Sequence, residues 1–215
     1  EQLQIDPLEL RKINAAQEGT LKPEGFRFGV IGNEQCIEAA INSPHYSSEL
    51  TGENQGRGVA SGFWFNAGLE SSAFAQVNDD GTVSLVLGSP DIGGTRASLA
   101  MQMAETLGIE MEDVKPQVTD TDSVGFTNVT GGSRTTFAGG WAAHEAAMDI
   151  RKQLEERAAT IWECPSADVS YGDDGVIRGP KGEDGEVLSI GFKALAGILQ
   201  SSTGGMVVGR SDVTK

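Results

Sequence analysis

The sequence predicts an α/β fold, layered in the α+β manner, with a mixed sheet, hairpins and packing helices. Three observations carry that prediction. Apolar runs at 73–77 and 82–87 flank Asn78-Asp79-Asp80-Gly81, a tight-turn sequence that pairs neighbouring strands antiparallel. The second run passes through a glycine-rich turn into a helical pattern at 95–107, followed by a strand at 114–119. Residues 134–161 then carry alanine at helical spacing, the mark of a long helix packed closely on its neighbours. Hairpins joined to crossover helices give a layered domain.

The elements follow in order. Asp6 as N-cap and Pro7 at the first helical position open a helix over 7–16. Asn33 is placed as the N-cap of a second helix, 33–41, with Ile37, Ala40 and Ile41 on one apolar face. A polar linker follows at 43–55. Val59, Phe63, Trp64 and Phe65 make 58–67 read as a buried strand. Beyond the long helix, Asp173-Asp174-Gly175 turns a second hairpin within 169–177, Ser189 is placed as the cap of a last helix reaching Gln200, and Val207 to Arg210 reads as a strand. Residues 1–55 form a helical segment with its linker, and 56–215 the α/β domain. Both ends look entered mid-fold, so the chain reads as an internal piece of a longer protein.

Composition narrows the function. The formal net charge of −15, with no basic arm, argues against nucleic acid. No apolar run approaches the roughly 18 residues of a membrane span. Cys36 reads as a small core residue and Cys164 as a helix-end residue, both unpaired in a reducing, cytoplasmic compartment; a disulfide between them is the alternative. Two histidines, His45 and His144, are too few for a histidine metal centre.

Two glycine turns carry the chemistry. Thr130-Gly131-Gly132-Ser133-Arg134-Thr135-Thr136 opens the long helix, and Gly88-Ser89-Pro90-Asp91-Ile92-Gly93-Gly94-Thr95-Arg96 opens the helix at 95. Glycines let a ligand approach the backbone, and the free N–H groups and positive end of a helix favour phosphate. Hydroxyls and an arginine add donors. The plainer reading makes Ser133 or Thr135 an ordinary N-cap. Neither turn matches a P-loop or a G-x-G-x-x-G fingerprint. Asp120 and Asp122 read as turn residues bonding their own backbone, with an acid–base or metal pair as the alternative. No nucleophile arrangement is present.

From Gln55 to Ala143 the chain, including both turns, the hairpin before the first and Thr119-Asp120-Thr121-Asp122-Ser123 between them, resembles the molybdopterin-binding subunit of the xanthine dehydrogenase/aldehyde oxidase (molybdenum hydroxylase) family. The resemblance implies an incomplete molybdopterin-binding subdomain, with 1–55 from the preceding cofactor-binding subdomain. It implies that Thr130, Gly131, Gly132, Ser133, Arg134 and Thr135, and next Gly93, Gly94, Thr95 and Arg96, hold the pyrophosphate and pterin of the cofactor. The metal is held by the pterin, so no protein metal ligand is expected. The family's Gly-Gln-Gly is here Gly93-Gly94-Thr95, without the glutamine, and Gln102 lies two turns on. The family's catalytic glutamate, its glycine-phenylalanine loop and its substrate-facing arginine have no counterpart, so no catalytic residue is expected. The parent would hydroxylate an aldehyde or N-heterocycle alongside iron–sulfur and FAD-binding subunits or domains, and a homodimer stays open. The piece alone would be inactive and would carry no cofactor. A non-catalytic phosphate-binding or structural interaction domain is the alternative.

Overall fold

The computed structural model describes residues 2–64, 68–120 and 122–213. It divides into two compact units, Glu1–Phe63 and Trp64–Lys215.

The first unit holds α1 (Pro7–Ile13), α2 (Asn33–Ile41) and α3 (Pro44–Ser47). Asp6 caps α1 as predicted, accepting from the Leu8 and Glu9 amides at 2.8 and 3.2 Å. Its other oxygen takes the Tyr46 hydroxyl at 2.6 Å, which holds the Asp6 carboxyl below its usual range. Helix α2 differs from expectation. Asn33 lies inside it, Gly32 stands at the cap without a side-chain bond, and Ile37 is its buried residue. Cys36 is exposed, correcting its core placement, because it falls off the face that Ile37 buries. A short helix, α3, occupies part of the predicted linker, started by Ser43 and Pro44.

The described part of 58–67 forms no strand, and Phe63 and Trp64 are 88% and 72% exposed; Phe65 lies outside the described residues. Aromatic content favours a strand only where a neighbouring strand supplies hydrogen bonds. Here the Val59 carbonyl accepts instead from Arg11 Nη2 at 3.0 Å.

In the second unit β1 (Ser71–Val77) and β2 (Val83–Leu87) form the predicted hairpin, with Ala73 opposite Leu87 and Val77 opposite Val83. Thr82 belongs to the turn, its amide and hydroxyl both bonded to Asp80 Oδ1. Helix α4 (Thr95–Leu107) returns the chain to β3 (Val114–Val118), which lies parallel to β2. Helix α5 (Arg134–Ile161) follows. A second sheet holds β4 (Ser170–Tyr171), β5 (Val176–Lys181) and β6 (Val187–Gly191), all antiparallel. Then come α6 (Phe192–Ser202) and β7 (Val208–Val213), the latter antiparallel to β1. The main sheet is therefore mixed, in the order β3-β2-β1-β7. Ser189 does not cap α6. It sits in β6 opposite Arg178, because Val187 to Ile190 has a β5 strand to pair with and the helix starts only after Gly191.

Alternation places Ala73, Ala75, Val77, Val83, Leu85 and Leu87 on the buried face of the sheet. Against it lie Leu99, Met103 and Leu107 of α4 and the alanine stripe of α5 with Ile150 and Leu154. Small side chains let α5 approach closely. A Cβ at Gly209 of β7 would run into the Ala146 carbonyl and Ile150, whereas one at Gly140 would meet the side chain of Gln102. Gly209→Ala is thus expected to cost about 2–3 kcal/mol in urea unfolding, as backbone must move. Gly140→Ala should cost less than about 1 kcal/mol, since Gln102 can swing away. Equal costs would contradict this packing. Among the described residues no helix is long and apolar enough to cross a membrane.

Candidate functional site

The second unit brings the two glycine turns together. Leu99 packs on Gly139, Gln102 on Gly140, and Thr106 Oγ1 lies 2.9 Å from His144 Nδ1. Partners advance in the same direction along both helices, so α4 and α5 run parallel and their N-termini share one end. That end is where the parallel strands β2 and β3 finish, the usual ligand edge of such sheets. Gln102 itself is spent against Gly140, well down the helix, and does not reach the Gly93-Gly94 turn.

Helix α5 starts abruptly. Gly132 (φ 60°) and Ser133 (φ 55°) are both left-handed, and the chain turns directly into the helix at Arg134. Ser133 occupies the cap position, yet its side chain makes no capping bond. Thr130, Gly131 and Ser133 are exposed, and the space where a Gly131 side chain would sit is open. Thr135 is 2% exposed, and its hydroxyl has no hydrogen-bond partner. A buried hydroxyl left unbonded is costly.

Arg134 is fully buried. Its Nε donates to the Val129 carbonyl at 2.8 Å, Nη1 to Ser71 Oγ at 2.6 Å and Nη2 to Ser89 Oγ at 2.9 Å. One guanidinium therefore ties the first residue of β1, the turn leaving β2 and the turn entering α5. All three partners are neutral oxygens. Burial alone acts on its pKa, pushing it down. The fork does not face outward, as the sequence suggests; its charge lies beside the α5 turn, and among the described residues no acid pairs with it.

Helix α4 starts on a second left-handed pair, Gly93 (φ 86°) and Gly94 (φ 94°), both exposed with open space around them. Here several of the donors are already taken by one acid. Asp91 Oδ1 accepts from the Gly94 amide at 2.9 Å and the Thr95 hydroxyl at 3.2 Å, and Oδ2 from Arg96 Nε at 3.0 Å. Thr95 Oγ1 in turn accepts from the Ile92 amide at 2.9 Å. The Arg96 hydrogen bond is the main cause holding the Asp91 carboxyl below its usual range, so it is ionised at neutral pH. Sequence reasoning missed Asp91; its signal was an Asp three residues ahead of a left-handed glycine, the spacing of a local side-chain turn.

Asp120 is a turn residue, accepting from the Asp122 amide at 2.9 Å and from the Ser123 hydroxyl at 2.8 and 2.9 Å. Among the described residues no three His, Cys, Asp or Glu side chains gather as a metal site.

Comparison with known proteins supplies the family. The putative xanthine dehydrogenase molybdenum-binding subunit XdhA of Escherichia coli (strain K12) is 26% identical over 227 residues, covering 98% of this chain. The chain spans 30% of that relative's length. Aldehyde oxidoreductase of Megalodesulfovibrio gigas is 28% identical over 171 residues, covering 73% of this chain and 19% of the relative. Quinoline 2-oxidoreductase from Pseudomonas putida 86 shares the fold over 98% of this chain and 30% of its own, with TM-score 0.70 and 16% identity. A family model described as the molybdopterin cofactor-binding domain matches residues 40–206, and the chain belongs to that family.

Proposed function

We propose that this domain holds molybdopterin across the neighbouring starts of α4 and α5, with a phosphate group at the α5 turn, as part of a longer molybdenum hydroxylase subunit. The observation that carries this reading is the unbonded, buried Thr135 hydroxyl beside a buried Arg134 whose partners are all neutral. Both features fit an anion at the α5 turn, and among the described residues the Thr135 hydroxyl has no partner. Thr130, Gly131, Gly132 and Ser133 would offer backbone and hydroxyl donors, Thr135 its free hydroxyl, and Arg134 its charge from below. Gly93, Gly94, Thr95 and Arg96 would border the cofactor on the other side.

Molybdopterin, when bound, supplies the metal centre at which the parent would hydroxylate an aldehyde or an N-heterocycle. This chain's own part is to bind and orient, through the donors of the two turns. Electrons would leave through iron–sulfur and FAD-binding subunits or domains, in a reducing cytoplasm where the free thiols of Cys36 and Cys164 persist. Residues 1–55 would belong with the preceding subdomain.

Amide hydrogen exchange on the parent subunit, loaded and unloaded, tests the reading. Amides of 132–137 are expected to exchange at least about tenfold more slowly when molybdopterin is bound. Equal rates there, with protection elsewhere, would remove the α5 turn from the site.

A further inference from the structure

The two helix starts have the same design but differ in what occupies them. At α5 the left-handed pair stands two residues before a buried, unbonded Thr135 hydroxyl, with the buried charge of Arg134 beside it. At α4 the left-handed pair is closed by Asp91, which takes the Gly94 amide, the Thr95 hydroxyl and the Arg96 guanidinium. A phosphate approaching α4 would have to compete with Asp91 for those three donors. It would also meet a carboxylate of its own sign within hydrogen-bond range of them, a repulsion that partial exposure screens but does not remove.

We infer that Asp91 is a specificity-determining residue that acts as a built-in anion at the start of α4, so that of the two look-alike turns only the α5 turn accepts a phosphate group. The cradle is then directional. An anionic end of a ligand is admitted at α5, and an uncharged, hydrogen-bonding part is what the Gly93-Gly94 surface can border. This rests on the phosphate reading of the α5 turn given above, and extends it by separating the roles of the two turns. The absence of side chains at Gly93 and Gly94 still leaves room for a flat, neutral group to lie against the backbone.

The test is a nitrogen–proton NMR titration of the 215-residue chain with inorganic pyrophosphate, repeated on Asp91→Asn. Asparagine keeps an acceptor for Gly94 and Thr95 and removes the charge; Asp91→Ser, a second neutral acceptor, guards against a local refolding peculiar to the amide. In the wild type the amides of 132–136 should shift and saturate, while those of 93–97 stay still. In both variants the amides of 93–97 should respond as well, with an affinity at least about tenfold above their wild-type value. Wild-type shifts of equal size at both turns, or silence at 93–97 in both variants while 132–136 respond, would overturn the role of Asp91 and leave the α5 reading standing. Response at 93–97 in the variants with silence at 132–136 would uphold Asp91 and remove the α5 reading. Silence at both turns in all three proteins would overturn both.

Discussion

Arg134→Ala should destabilise the second unit by about 2–4 kcal/mol in urea unfolding. The variant leaves the nearly inaccessible hydroxyls of Ser71 and Ser89 and the Val129 carbonyl without their donor, and opens a void between three chain segments. Part of this loss is returned, because an arginine with only neutral partners is itself costly to bury. Arg134→Lys should recover little of the loss, since one ammonium cannot reproduce a planar fork reaching three acceptors. The alanine variant should also lower cofactor occupancy of the parent by about tenfold under limiting supply, through the lost charge and the loosened turn. An unfolding midpoint equal to wild type would show that Arg134 does not brace these segments.

Gly132→Val is the second large effect, and it acts on binding. A β-branched residue at φ 60° is strained by about 1–3 kcal/mol, and its side chain would cover the amides at the start of α5. Molybdenum content of the intact parent, measured by elemental analysis, should fall by more than about tenfold. Normal molybdenum content in a normally folded Gly132→Val parent would place the ligand elsewhere.

What the sequence made legible was what local chemistry decides. The 73–87 hairpin rests on its turn residues, and the extents of α4 and α5 rest on glycine starts and apolar periodicity. Where a segment's fate depends on a distant partner, the reading failed. Residues 58–64 have aromatic content but no strand to pair with, while Ser189 looks like a cap yet finds β5 beside it. The site shows the same divide. That both turns start helices could be read in advance, but the direction of one side chain could not. Arg134 turns inward because Ser71 and Ser89, 63 and 45 residues away, offer acceptors there. Asp91 had only a weak local signal, its spacing of three residues before Gly94, and its hold on Thr95 and Arg96 shows only in the fold.

The central claim, that the start of α5 is built for a phosphate, is tested most directly by Thr135→Val. Valine matches threonine in shape and removes the unbonded hydroxyl. Calorimetric titration of the chain with inorganic pyrophosphate should show affinity about five- to tenfold below wild type, while thermal stability stays equal or rises. Loss of binding without loss of stability is what a hydroxyl kept for a ligand predicts. Unchanged pyrophosphate affinity in a stably folded Thr135→Val chain would contradict the account.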